Sequence, residues 1–134
     1  MGTETATEID RTAIIGVVLD YFEGWFSGDA ARMERALHPE LCKRSFARDP
    51  DGTERLETLT APQMVGWTKE GIGRTRLPED GDPGIEIEVV DTYDTIATVM
   101  VRSKVYREYL HLVRTSEGWK IANALWARVS NEAG

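Results

Sequence analysis

The sequence predicts an α+β fold with helices gathered on one face of an antiparallel sheet, and three observations carry that expectation. Ile14, Ile15, Val18, Tyr21, Phe22, Trp25 and Phe26 recur three and four apart, the spacing of an amphipathic helix. Ile85-Glu86-Ile87-Glu88-Val89 alternates apolar and acidic side chains, as a strand with one wet face does. From there on the chain runs through β-branched and aromatic stretches joined by short turns, with no internal repeat. Helices first and strands later is the order of an α+β domain rather than of alternating βα units.

Each element has a local reason. Residues 1–8 are polar and rich in Thr, and read as a flexible N-terminal tail. A helix is predicted from about Ile9 to Ser27, stopped at Gly28. Asp29 caps a second helix, Ala30 to Leu37, with Met33, Ala36 and Leu37 as its buried stripe and Pro39 as its end. Leu41 to Ala47 alternates weakly into the turn sequence Arg48-Asp49-Pro50-Asp51-Gly52-Thr53, and Glu54 to Thr58 is the returning strand. Thr60 caps a third helix that carries Pro62 in its first turn, Met64, Val65 and Trp67 inside, and ends near Gly71 or Gly73. Arg74 to Gly84 reads as a surface loop. Four strands follow: Ile85–Val89, Ile96–Val105, Tyr109–Arg114 and Trp119–Val129, the last two flanking Ser116-Glu117-Gly118. Residues 9–130 are expected to form a single domain, with 131–134 a C-terminal tail.

The chain has 134 residues, with 16 Lys+Arg against 23 Asp+Glu, a formal charge of −7. That balance argues against nucleic acid and anionic membranes as partners, since phosphate binding needs clustered cations. No stretch approaches the ~20 apolar residues of a membrane span. The first twenty residues carry no basic leader region, so a cytoplasmic location is expected. The lone cysteine, Cys42, can make neither an internal disulfide nor a Cys-based zinc site. With two histidines, His38 and His111, no metal centre is expected, and no cofactor.

Two stretches carry a family likeness. Tyr21-Phe22-Glu23-Gly24-Trp25-Phe26-Ser27-Gly28-Asp29 with Leu37-His38-Pro39-Glu40 resembles the opening of the nuclear transport factor 2-like superfamily, which includes SnoaL-like proteins. Tyr109-Leu110-His111-Leu112-Val113-Arg114 with Gly118-Trp119-Lys120-Ile121-Ala122-Asn123 is similar to the branch called putative lumazine-binding proteins. The resemblance implies a cone: a strongly curved antiparallel sheet, cystatin-like, wrapped around three helices and a pocket. The superfamily holds ketosteroid isomerases, dehydratases, cyclases and binding proteins, so the fold does not choose a function.

The same resemblance places Tyr21 where ketosteroid isomerases keep an oxyanion-holding tyrosine. It places Ser45 where they keep an aspartate base, and Leu112 (His111 if the register differs by one) where they keep a second acid. Neither Ser45 nor Arg44 before it can abstract a carbon-bound proton near neutral pH, which argues against that isomerisation. Relatives of the lumazine-binding branch often carry an aspartate and a lysine at the positions of Glu108 and Ala124. Here the acid is kept and the lysine is not, so an ion pair across the pocket stays open.

Register in the last hairpin decides what faces inward. A three-residue Ser-Glu-Gly loop opposes Thr115 to Trp119 and puts Glu108, Leu110 and Leu112 on one face with Ala122, Ala124 and Trp126. A two-residue loop would bring Tyr109 and His111 inward instead. The isomerase comparison, which sets Trp126 on the pocket wall, favours the first. Candidate ligand-binding residues are then Tyr21, Trp25, Ser45, Trp67, Leu112 and Trp126, and candidate catalytic groups, in an enzyme, are Tyr21, His38 and Glu108. Each has a plainer role as well: His38 as a helix-end group, Tyr21 as a satisfied buried hydroxyl, the tryptophans as core.

The function expected is binding of a small organic molecule in an aromatic apolar pocket. One alternative is a cofactor-free dehydratase, isomerase or cyclase acting on a small aromatic or polyketide-like substrate. Another is a protein-interaction module using the convex sheet face. Ile121, Asn123 and Leu125 alternate with Ala122, Ala124 and Trp126, leaving the last strand apolar on both sides. A strand buried on both faces needs a second layer, and a homodimer through the sheet would supply it.

Overall fold

The computed structural model describes residues 2–130. Helix α1 spans Gly2–Ser27, α2 Ala30–Ala36 and α3 Ala61–Glu70, with a short 3-10 turn at Gly73–Arg76. The strands are β1 Leu37–Arg48, β2 Glu54–Leu59, β3 Glu86–Tyr93, β4 Ile96–Arg102, β5 Tyr106–Thr115 and β6 Gly118–Arg128. Three helices and a six-stranded, curved, unclosed sheet make the predicted α+β fold. Met1 and the C-terminal tail expected at 131–134 lie outside the described residues. Among those described, no helix is long and apolar enough to cross a membrane.

The helix starts and stops follow local chemistry. The Asp29 side chain accepts the Arg32 backbone N–H at 3.1 Å and caps α2. Thr60 and Gln63 form a reciprocal capping box at the start of α3. Helix α1 begins at Gly2 instead of Ile9, so the stretch read as a tail continues the helix; extending an existing helix costs far less than starting one. The loop expected over Arg74 to Gly84 opens with the 3-10 turn. Gly73 is required there: a Cβ at that position would lie 2.1 Å from the Trp25 carbonyl oxygen, so the turn sits directly on α1.

The sheet order is β2-β1-β6-β5-β4-β3. All neighbours are antiparallel except β1 and β6, which are parallel. The antiparallel sheet expected from sequence is thus found, with that one parallel pair added. β1 is the first strand and β6 the last, and the long excursion between them provides the crossover that parallel pairing needs. The β1–β6 register is interrupted between Leu37 and Cys42, a stretch that contains Pro39, which has no N–H to give a ladder.

The last hairpin corrects a second expectation. Thr115 pairs with Gly118, so the loop is the two residues Ser116 and Glu117, and Gly118, the first residue after it, has a positive φ of 105°. Read alone, that loop would turn Tyr109 and His111 inward against Trp126. A bulge reverses the consequence. Leu112 pairs with Ile121 but His111 pairs with Asn123, so Ala122 is the extra residue, and from there Leu110 meets Ala124 and Glu108 meets Trp126. Glu108, Leu110 and Leu112 face inward; Tyr109 and His111 are exposed on the outer face.

The bulge also changes which face each β6 residue occupies. Ile121 is fully buried inside while Asn123 and Leu125 are exposed, so Ile121 and Leu125 lie on opposite faces instead of sharing one. The core lies between α1 and the inner face of the sheet and includes Ile14, Val18, Phe22, Met33, Leu110 and Ile121, each nearly inaccessible.

Candidate functional site

One end of the core is not filled. A cavity of about 280 Å³ lies between α1, α3 and the inner faces of β1, β6 and β5. Tyr21 and Trp25 reach it from consecutive turns of α1, four residues apart on the sheet-facing stripe. Met64 and Trp67 enter from α3, Tyr106 and Glu108 from β5, Trp126 from β6, and Lys43 from β1. Exposed Glu57, Arg76 and Arg128 mark where the cavity meets solvent.

Its inner end is a closed polar cluster. The Tyr21 hydroxyl donates to Glu108 Oε1 at 2.8 Å, and Lys43 Nζ donates to the Tyr21 oxygen. Lys43 Nζ stands 3.6 Å from Glu108 Oε2. The ammonium also lies over two rings, 4.9 Å from the centre of Tyr21 and 5.2 Å from that of Trp126. Both charged side chains are almost wholly withdrawn from water, at 6% exposure for Lys43 and 2% for Glu108. Burial pushes the Glu108 carboxyl above its ordinary value, against the pull of Lys43 and the Tyr21 hydrogen bond. Burial likewise lowers Lys43, with Glu108 opposing. Burial first and the Glu108 charge second hold the Tyr21 phenol well above the ordinary range, so it remains a donor.

Aromatic side chains form the walls. Trp25 Nε1 donates to the Tyr106 hydroxyl at 3.0 Å, and Tyr106 meets the Trp126 ring edge-on with centroids 5.6 Å apart. The Trp126 indole N–H is buried and has no acceptor among the described residues. An N–H in that condition costs free energy until something accepts from it.

The cavity brings together Tyr21, Trp25, Trp67, Glu108 and Trp126. It does not bring in the other three candidates. His38 lies at the start of β1, where its Nδ1 accepts the Glu40 backbone N–H at 3.0 Å, a local bond of an irregular strand start. Ser45 is buried on β1, but Lys43, one inward position earlier, occupies the cavity wall. Leu112 is in the core four residues beyond Glu108, roughly 13 Å along the strand.

Lys43 is the residue that sequence reasoning missed. A signal was present: Leu41, Lys43 and Ser45 share one parity in β1, and an inward Leu41 carries Lys43 inward with it. The lysine absent from position 124 is supplied from the neighbouring strand, because Lys43 and Ala124 are register partners. The ion pair left open by the resemblance is therefore formed. Among the described residues, no group of three or more His, Cys, Asp and Glu is placed to hold a metal ion.

A curved sheet over three helices with a cavity at one end defines the nuclear transport factor 2-like class of fold. The sequence profile of the putative lumazine-binding family matches residues 9–127, and the chain belongs to that family. Among solved structures it is similar to a nuclear transport factor 2-like protein of unknown function from Silicibacter pomeroyi, with a TM-score of 0.70 and 16% identity, covering 93% of this chain and 98% of that one. An uncharacterised protein with a cystatin-like fold from Caulobacter vibrioides gives a TM-score of 0.60 at 15% identity, with 92% of each chain covered. A ketosteroid isomerase-like protein from Erwinia carotovora gives 0.58 at 15% identity, covering 92% of this chain and 95% of that one. No curated protein shows significant sequence similarity to the chain.

Proposed function

We propose that this chain binds a small, flat organic molecule in the tryptophan-lined cavity. The observation that carries the reading is the convergence of Trp25, Trp67 and Trp126, from three separate elements, on one unfilled space that ends in the Tyr21–Lys43–Glu108 cluster. A filled core would need neither the space nor the buried charges, since desolvating two ions without a functional return weakens a fold. Apolar walls with a few converging polar groups are the ordinary form of a small-molecule site.

Fluorescence tests it directly. Trp119 lies elsewhere, its Nε1 donating to Asp10 at 3.3 Å, and serves as an internal reference. Lumazine is the first probe, given the family's name. Titration is expected to quench the three cavity tryptophans, and Trp126→Ala is expected to lose most of the response. Full quenching in Trp126→Ala would sink the proposal.

A second reading, a cofactor-free dehydratase, isomerase or cyclase, is favoured by one observation. Lys43 has its proton affinity lowered by burial and is linked through the Tyr21 hydroxyl to a carboxyl whose affinity is raised. Two groups pushed toward each other in this way can pass a proton and hold a developing enolate in a dry site. The third reading, partner binding by the outer sheet face, rests on exposed Phe46, Leu56, Tyr109 and Leu125. A second copy of the chain covering that face would make a homodimer, and light scattering at micromolar concentration distinguishes it from a 15.0 kDa monomer.

A further inference from the structure

The two ends of the cavity differ in charge balance. At the inner end Lys43, Glu108 and Tyr21 satisfy one another, and their formal charges sum to zero. The mouth holds two arginines, Arg76 of the 3-10 turn and Arg128 at the end of β6, and one acid, Glu57 of β2. Glu57 is shared with Arg55, 4.0 Å away. Neither Arg76 nor Arg128 has an ion-pair partner among the described residues. In a chain of formal charge −7, two arginines at one opening with no carboxylate of their own are against the average. Like charges held together repel, and an anion between them removes that cost.

The backbone puts both arginines there. Arg128 follows Ala124 and Trp126 at alternate positions along β6, and its register partner is the buried Tyr106. Arg76 is carried by the turn that Gly73 seats directly on Trp25, so its backbone is fixed relative to the cavity wall. Tyr106, whose hydroxyl accepts from Trp25, lines the cavity with both arginines.

From this arrangement we infer that the ligand is an aromatic acid, with its ring system among Trp25, Trp67 and Trp126 and one carboxylate or phosphate at the mouth between Arg76 and Arg128. The inference rests on the binding function proposed above and gives it a polarity: the ring enters first and the anion stays at the rim. There the anion keeps part of its hydration while accepting charge-assisted bonds from planar guanidinium forks. A volume of about 280 Å³ lies at the small end of ligand sites and suits one or two fused rings.

Calorimetry with three probes that share one ring system tests this: 2-naphthoate, neutral 2-naphthamide and 2-naphthyl phosphate. At low salt the naphthoate or the phosphate is expected to bind at least about tenfold more tightly than the amide, and their ratio tells which anion the mouth prefers. The advantage is expected to shrink as salt is added. In Arg76→Gln/Arg128→Gln the ratio of anion to amide affinity is expected to fall to about one, and a cooperative urea transition shows that the variant is folded. Amide binding as tight as that of both anions, or an advantage that survives the double substitution, overturns the inference and leaves the cavity a binding site. Failure of all three probes to bind overturns the binding function together with it.

Discussion

Lys43 of β1 and Glu108 of β5 meet at 3.6 Å although β6 runs between their strands. They meet because Ala124, the β6 residue in register with Lys43, is small enough for the lysine to cross above it. Trp126, the next inward residue of β6 and the register partner of Glu108, covers the ammonium from the other side. Each member of the pair is pushed by burial toward its neutral form. The fold therefore holds two charges in a place that disfavours both, and the Tyr21 hydroxyl joins them.

Replacing the pair should leave the protein at least as stable as it is. Apolar or neutral residues of similar volume in place of a buried ion pair are neutral or stabilising by about 1–4 kcal/mol. Lys43→Met/Glu108→Gln keeps an acceptor for the Tyr21 hydroxyl and is expected to be at least as stable as the parent in urea unfolding. Lys43→Met alone strands a buried carboxyl and is expected to lose about 3–5 kcal/mol at neutral pH.

That loss should depend on pH in a fixed direction. The Glu108 carboxyl is already raised above its ordinary 4.5 by burial, and removing Lys43 removes the largest opposing influence. A group whose folded pKa is raised stabilises the fold fully below its unfolded value, and that stability is lost as pH rises through the folded value. Lys43→Met should therefore approach Lys43→Met/Glu108→Gln in stability below pH 4.5 and fall behind it as pH rises above that value. Subtracting the double variant cancels the other carboxylates. A gap that stays constant across this range contradicts the assignment of a buried, strained carboxyl at position 108.

The helices were legible in the sequence because their signals are local: the apolar spacing from Ile14 to Phe26, the Asp29 cap and the Thr60–Gln63 capping box each act within a few residues. The strands were legible by alternation, and Glu108 by its parity with Leu110 and Leu112. What was not legible depended on strand neighbours far apart in the chain. The parallel pairing of β1 with β6 joins residues some eighty positions apart, and only that pairing sets Lys43 beside Ala124. The bulge at Ala122 is equally hidden, since a two-residue loop and one extra residue in β6 give, beyond the bulge, the same pairs Leu110–Ala124 and Glu108–Trp126 as a three-residue loop, while before it Ile121 takes the inward place.

The register between Lys43 and Ala124 allows the lysine to be moved. Lys43→Ala/Ala124→Lys places the ammonium on β6, next to Trp126 and opposite Leu110, the position at which the family resemblance expects it. The exchange is expected to recover most of the stability that Lys43→Ala loses, in urea unfolding at neutral pH. Ala124→Lys alone crowds two ammonium groups against one carboxylate and should be the least stable of the set. Equal stability of the exchange variant and Lys43→Ala would show that the ion pair is not transferable across the register.

Gly73 links the two ends of the site through the backbone. A methyl group there meets the Trp25 carbonyl carbon at 2.7 Å and its oxygen at 2.1 Å, and backbone atoms of a helix cannot step aside as the end of a side chain can. Gly73→Ala is thus expected to push the 3-10 turn off α1 at a cost of about 3 kcal/mol, the upper part of the range for overpacking. Trp25 and Arg76 should shift together, because one lies under the turn and the other is borne by it. Quenching by an aromatic ligand should weaken at least about tenfold, a loss of roughly 1.4 kcal/mol in binding. Gly71→Ala is the comparison: its Cβ would meet only the Arg74 side chain at 3.8 Å, and its left-handed φ of 83° makes the substitution costly for the helix end alone. It should lower the urea midpoint without changing ligand affinity in the folded fraction. If Gly73→Ala behaves in the same way, the close seat of the turn on Trp25 has no part in shaping the cavity.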